Sequence, residues 1–339
     1  APLTAGELAL RLAGRVPRAS APPPVGPSPW GDAALGLDVE GAPPAAGKIV
    51  TPLTVVDGAA PLTAGETVTP LTAGETALCF EGVRFRYPGA GADALSGVSF
   101  TLRRGERVAL TGASGSGKST LARLALGLRR PTAGSVTVLG MRDADTGTLA
   151  RRVGLVLQNP MHQLLAETVA DEVALGLRDR SRAEARRLAG GAIERFALGD
   201  LLRRHPLSLS EGERRRVALA AVVARAPELL VLDEPTLAQD EAQRTALAAL
   251  VRELAEQGTT VLAITHDREF VNDACERVIA LRDGRIDADL PLGGDRARLE
   301  SLDAAGIPLA DVPATVLALG RAGGVASART VDELVAAFA

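Results

Sequence analysis

From Ala77 onward, short apolar runs alternate with longer stretches in which apolar residues recur at helical spacing. The runs are "ERVAL" (106–110), "VGLVLQ" (153–158), "ELLVLDE" (228–234) and "TTVLAITH" (259–266), rich in Val, Leu and Ile and several ending in a polar residue. Runs without a polar alternate position predict parallel strands buried on both faces. The stretches between them, "KSTLARLALGL" (118–128), "SRAEARRLAGGAIERF" (181–196), "EGERRRVALAAVVAR" (211–225) and "AQRTALAALVRELAEQ" (242–257), predict helices. Strand and helix in alternation give an α/β domain with a parallel sheet, and ligands are expected at the carboxyl ends of its strands.

The flanks follow a different pattern. Between Ser20 and Gly47 the chain is dense in Pro, Gly and Ala, and a tandem nonapeptide follows: "TPLTVVDGA" (51–59), "APLTAGETV" (60–68) and "TPLTAGETA" (69–77). These units carry too few large apolar residues to bury a core, so residues 1–76 are expected to form a largely flexible segment and linker. Thr4 and Glu7 have capping-box spacing ahead of "LALRLAGRV", which predicts one short helix there. After "LRDGRI" (281–286) the composition changes again. Residues 287–339 are expected to form a small accessory region, broken by Pro308 and Pro313 and closed by a helix from Thr330, where Glu333 repeats the capping-box spacing.

Composition narrows the function classes. With 339 residues and 46% hydrophobic content the chain can bury a sizeable core. A net charge of -3 with only 2% aromatic residues supports neither a nucleic-acid backbone reader nor a single-strand stacking platform. Two cysteines, Cys79 and Cys275, are too few for a disulfide framework and fit a reducing compartment. No apolar run reaches the roughly 18 residues of a membrane span, and no secretory leader pattern is expected at the start. A membrane role would then require a partner.

The chain has two lysines, Lys48 and Lys118, and the second lies in "GASGSGKST" (112–120). That stretch fits the G-x-x-x-x-G-K-[ST] pattern, follows a predicted strand and opens a predicted helix. Gly112, Gly115 and Gly117 allow the amides of Ala113, Ser114, Ser116 and their neighbours to curl round phosphate groups at a helix N-terminus. A compact ammonium on a flexible stem reaches between β- and γ-phosphates where a planar guanidinium fits poorly, which explains a lysine in an arginine-rich chain. Ser119, with Thr120 beside it, offers a hydroxyl for Mg²⁺. "LLVLDEP" (229–235) ends a strand in Asp233 and Glu234. Such a pair is often merely solvated, but beside a phosphate loop it suits Mg²⁺ binding and polarisation of an attacking water.

Residues 77–286 resemble an ATP-binding-cassette (ABC) ATPase, the motor subunit of ABC transporters, on an ordered set of motifs. The resemblance implies a P-loop NTPase fold of ABC type with a helical subdomain, and ATP and Mg²⁺ as ligands. It implies that Tyr87 in "VRFRYPG" stacks on adenine; packing of the turn at Pro88 is the lesser alternative. Gln158 matches the glutamine that contacts Mg²⁺ and faces the membrane partner. Asp240 matches a nucleotide-site aspartate, and His266 the histidine that positions the γ-phosphate, with Glu234 as general base and Asp233 on the metal. "LSLSEGERRR" (207–216) stands where the family signature LSGGQ belongs. In the family this segment of one subunit closes on the nucleotide held by the other, so Ser210 and Gly212 are carried over as binding residues. Glu211 and Glu213 depart from the pattern, and Glu211 would bring negative charge near that phosphate unless it turns away or pairs with an arginine of 214–216.

"LQNPMHQLLAETVADEVALGL" (157–177) resembles the corresponding region of energy-coupling-factor ATPases, which drive uptake of vitamins or of cobalt and nickel ions. Residues 1–15 faintly echo 307–321, as though the chain opened on the tail of a preceding cassette. The expected protein is therefore a peripheral ATPase on the cytoplasmic face of the membrane, paired with a second cassette and an integral membrane subunit, without nucleic acid. Leu164 and Val169 are expected on the membrane-partner surface. A catalytically weak nucleotide-binding partner and a non-transport ABC protein are the alternatives.

Overall fold

A computed structural model describes residues 75–237 and 239–292. The predicted helices near Thr4 and Thr330, and most of the two flanking regions, lie outside the described residues. Among the described residues no helix is long and apolar enough to cross a membrane.

The chain begins with β1 (Thr76–Phe85) and β2 (Leu95–Arg103), followed by β3 (Arg107–Thr111) and α1 (Lys118–Ala125). After β4 (Ala133–Val138), β5 (Met141–Arg142) and a one-turn α2 (Thr146–Leu149) comes β6 (Val153–Val156). A helical section then holds α3 (Val169–Leu175), α4 (Arg182–Arg195) and α5 (Glu211–Val223). The last part alternates: β7 (Leu229–Asp233), α6 (Glu241–Glu256), β8 (Thr260–Ile264), α7 (Arg268–Ala274), β9 (Arg277–Arg282) and β10 (Arg285–Pro291).

Two sheets result. A six-stranded sheet has the order β10-β9-β3-β8-β7-β6, parallel except for the β10–β9 pair. Its four predicted strands lie together at one side in the order β3-β8-β7-β6. A four-stranded antiparallel sheet, β2-β1-β4-β5, was not anticipated. The boundary expected at residue 286 also falls inside β10, which stays paired with β9 as far as Pro291. A turn at Asp283–Gly284 returns the chain for one more strand, and the Pro291 ring sits at the sheet edge, where no ladder donor is required.

The parallel strands have no polar alternate positions because both their faces are buried. Val108, Leu110, Leu229, Val231, Leu262 and Ile264 join α1 and the antiparallel sheet in one core. Ala109, Leu230, Leu232, Val261 and Ala263, one residue out of phase, pack into a second core with α3 to α7. The two-residue side-chain period of a strand sorts one apolar run into two cores. In the antiparallel sheet Phe80 and Phe100 stack with centroids 4.8 Å apart. With both faces of the parallel sheet covered, its strand ends and the loops on them are where ligands are expected.

Leu164 and Val169 are buried in the helical core, so neither can form a partner surface. The exposed apolar side chains of that segment are Met161 and Leu165, 47% and 78% accessible. The expectation for Leu164 and Val169 fails because an apolar residue beside a motif has no address until helix α3 packs and decides which side faces inward.

Candidate nucleotide site

The loop between β3 and α1 depends on glycine. Gly112 has φ 143° and Gly117 φ 109°, in the region that favours glycine. A Cβ on Gly112 would lie 2.2 Å from the Leu281 carbonyl oxygen, and one on Gly117 2.7 Å from that of Ala94. The loop therefore sits hard against β9 and the turn ahead of β2. Lys118, the first residue of α1, folds its ammonium back over the loop, donating to the carbonyls of Gly112 (2.7 Å) and Ala113 (2.8 Å). Gly115 and Ser119 line the same exposed turn, while Ser116 and Thr120 are buried beneath it. The ammonium is thus held over an open ring of amides, where a phosphate group could exchange with the two carbonyls.

β8 lies between β3 and β7, so the residues after β7 and β8 meet beside this loop. Glu234 follows β7 with φ 45°, an uncommon value for a residue with a Cβ, and its amide donates to the Ile264 carbonyl at 2.8 Å. That bond aligns the ends of β7 and β8 and brings His266 Nδ1 to 3.0 Å from Glu234 Oε1. An ionised carboxylate can only accept, so in that state Nδ1 carries the shared hydrogen. The His266 side chain is 73% accessible and Glu234 16%, which leaves the imidazole turned to solvent and the carboxylate sheltered. Burial pushes the Asp233 carboxyl above its ordinary value, the Glu234 charge adds to the rise, and Arg123 and Lys118 oppose it. A half-buried carboxylate penalised in this way suits a divalent cation, which would relieve both effects.

Tyr87 lies after β1, its ring edge-on to Phe85 at 4.9 Å. Its hydroxyl is 3.1 Å from Thr120 Oγ1 and accepts from Arg123 Nη1 at 2.9 Å. Burial alone would raise the phenol's pKa, but these hydrogen bonds and the Arg123 charge bring it below the ordinary value. Tyr87 is therefore tied to α1 rather than simply packing the turn at Pro88. Gln158 stays apart: its side chain is exposed and among the described residues makes no hydrogen bond. The loop around it is held by Gln163, whose Oε1 accepts from the Leu157 amide at 2.9 Å.

Ser210 is the N-cap of α5 and forms a complete capping box with Glu213: the Glu213 amide donates to Ser210 Oγ at 3.3 Å, and the Ser210 amide to Glu213 Oε2 at 2.8 Å. The hydrogen bond from the Ser210 amide holds the Glu213 carboxyl below its usual range. Glutamate and glutamine serve equally at this third helical position, so Glu213 preserves the local geometry of the signature. Gly212 is exposed in the first turn. Asp240 is likewise an N-cap, accepting from the Gln243 amide at 2.8 Å at the start of α6.

Arg215 was missed by sequence reasoning. It is buried within α5, and its Nη1 donates to the carbonyls of Pro235 (2.6 Å) and Glu234 (3.3 Å), its Nη2 to that of Gln158 (3.3 Å). One guanidinium thus joins the signature helix to the loops that carry Gln158 and Glu234. Burial lowers its pKa and the Glu211 carboxylate opposes the shift, so Glu211 acts as countercharge to this buried cation. Arg123 was missed as well. Neither stands out among so many arginines, since only packing distinguishes a buried guanidinium from an exposed one.

Residues 95–237 match the family model described as ABC transporter. The chain is 41% identical over 209 residues to the energy-coupling factor transporter ATP-binding protein EcfA1 of Lacticaseibacillus paracasei, a match over 60% of this chain and 75% of that protein. This chain belongs to the ABC transporter family of ATP-binding proteins. EcfA1 of Geobacillus kaustophilus is 40% identical over 62% of this chain and 77% of its own length. A putative ABC transporter ATP-binding protein of Bifidobacterium longum is also 40% identical, but the chain spans only 28% of it. Among solved structures, an ATP-binding cassette dimer in a post-hydrolysis state with ADP and phosphate superposes with TM-score 0.58 at 30% identity, covering 64% of this chain and 99% of that one. CbiO1 of Clostridium perfringens, part of the ABC transporter complex cbiONQ, gives 0.61 at 27% identity over 73% of this chain and 97% of that one. The described domain is an ABC ATPase cassette resembling the energy-coupling-factor type. The family match covers residues 95–237 and so does not reach Tyr87, Asp240 or His266.

Proposed function

We propose that this ABC cassette is the ATP-hydrolysing motor of an energy-coupling-factor importer, acting as one of a pair of cassettes on the cytoplasmic face of an integral membrane subunit. The observation that carries the reading is the 3.0 Å contact of His266 with Glu234 beside the phosphate loop, a base and its orienting group at the edge where a nucleotide would end. The relatives named EcfA1 and the dimeric cassette with ADP and phosphate supply the importer and the pairing.

In this reading Lys118 and the amides of residues 112–119 hold the phosphates, and Tyr87 faces the adenine. Ser119, Asp233 and Gln158 would hold Mg²⁺, which when bound neutralises charge on the phosphates. Glu234 takes a proton from the attacking water, and His266 orients that carboxylate and the γ-phosphate. Ser210, Gly212 and Asp240 act on the nucleotide of the paired cassette. The second reading, a catalytically weak partner, is favoured by Glu211, a negative charge in the first turn of the signature helix, where positive potential would help hold a phosphate.

Glu234→Gln tests both. The side chain keeps its shape and loses the base, so phosphate release should fall by roughly 10²–10⁴-fold while ATP binding persists. The variant should elute as an ATP-dependent dimer in size exclusion with Mg-ATP. Parental turnover in the variant removes Glu234 as the base, and a parent inactive with every membrane partner tried supports the passive binder.

A further inference from the structure

At the opposite edge of the parallel sheet from the nucleotide loops lies a cleft of about 300 Å³. It is formed where Arg151 enters β6, where α3 ends at Leu175 and Gly176, and where Arg225 follows α5. Strands of four and five residues at about 3.3 Å each separate it from the phosphate loop by roughly 13–17 Å of sheet.

Four arginines line the cleft, Arg151, Arg178, Arg180 and Arg225, against one carboxylate, Asp179. The nearby acids are already engaged: Asp179 with Arg151 at 3.8 Å, Glu184 with Arg180 at 3.1 Å, and Glu228 with Arg152. The guanidiniums of Arg178 and Arg225 have no hydrogen-bond or ion-pair partner among the described residues. For Arg178 this is ordinary, because it is exposed. Arg225 is half-buried; burial lowers its pKa, Asp179 opposes the shift and Arg180 adds to it. A guanidinium stays charged under such conditions, and Asp179, already shared with Arg151, is the one carboxylate lining the cleft against four arginines. The backbone also makes room for it: a Cβ on Gly176 would come within 2.3 Å of Arg225 Cδ.

We propose that this cleft binds a small phosphate-bearing polyanion through Arg178 and Arg225, which both line it. Two guanidiniums without hydrogen-bond partners supply positive charge and paired N–H donors suited to the oxygen edges of phosphate groups. Bound there, the anion ties the α3–α4 connection to the end of α5, whose other end carries Ser210. The site stands independently of the nucleotide reading, since it shares no residue with it.

Inorganic pyrophosphate is the probe, titrated by calorimetry into the full chain carrying Lys118→Ala, which removes the phosphate-loop ammonium. Binding should persist and weaken steeply with added salt. Adding Arg225→Gln should weaken it at least ~10-fold, the loss expected of a charged hydrogen-bonding partner. Arg178→Gln, an exposed change that leaves the fold intact, should weaken it in the same direction. ATP affinity in the Lys118 parent should be unchanged by either arginine substitution. Absence of pyrophosphate binding to the Lys118→Ala chain, or binding that both arginine variants leave unchanged, overturns the proposal.

Discussion

The phosphate loop and the start of α5 are both helix N-termini with a serine and glycines, yet they are held in opposite ways. The loop is wedged between other elements: Gly112 and Gly117 exist because β9 and the residues before β2 leave no space for a Cβ. The α5 terminus is closed on itself by the Ser210–Glu213 box and would form on a much shorter peptide. Beyond the apolar packing of α5, Arg215 ties it to the loops of Gln158 and Glu234. A nucleotide-binding edge thus owes its shape to tertiary contact, and the signature owes its shape to sequence but its position to the packing of α5, in which Arg215 is the polar tie.

Removing Arg215 tests this contrast most severely. Arg215→Met keeps the volume but strands the carbonyls of Gln158, Glu234 and Pro235, so a stability loss of about 1–3 kcal/mol is expected in denaturant unfolding. Turnover should fall further than ATP affinity, because the Glu234 loop shifts while the phosphate loop stays wedged. Arg215→Lys restores the charge without the fork and should recover only part of the loss. An unchanged unfolding midpoint in the methionine variant would show that α5 is positioned by apolar packing alone.

A smaller effect is expected at the cap. Ser210→Ala should cost ~1 kcal/mol and leave ATP affinity of the isolated chain unaltered, whereas Glu213→Gln, which keeps the box, should be near neutral. Equal losses in the two variants would mean that the Glu213 charge, not the box, holds this turn. Chemical denaturation at two salt concentrations separates them.

The smallest effect is electrostatic and belongs to the other region. The Asp233 carboxyl is raised above its ordinary 3.8 by burial and then by Glu234, so ionising it weakens the fold. That cost is fully present above the raised folded-state value and is relieved as pH falls through it towards 3.8. Asp233→Asn should therefore unfold at a slightly higher temperature than the parent at neutral pH, with the gap closing on acidification. Mg²⁺-dependent ATP binding should be weakened by the same substitution. A gap that widens as pH falls contradicts the raised value.

Much of this was legible along the chain. The four parallel strands and the helices at 118, 182, 211 and 241 followed from apolar runs and their period, and Gly112–Thr120 with Asp233 and Glu234 from motif spacing. The antiparallel sheet was not, because β1, β2 and β4 carry bulged, mixed patterns that gain meaning only when paired. Leu164 and Val169 were misread for a related reason: hydrophobicity is visible in sequence, but the direction in which it points is not.

The sequence by itself determined which residues could do phosphate chemistry, because a glycine loop, a lysine and strand-end carboxylates are local requirements met within a few positions. It also determined the signature's cap, since a capping box spans four residues. Only the tertiary structure decided that His266 meets Glu234 across neighbouring strands, that Arg215 joins two loops, and that Arg178 and Arg225 share a cleft. Those pairings lie 32, 57 and 47 residues apart in the chain. Contacts at such separations depend on strand order and on which helix face turns inward, both of which are fixed by packing the whole domain.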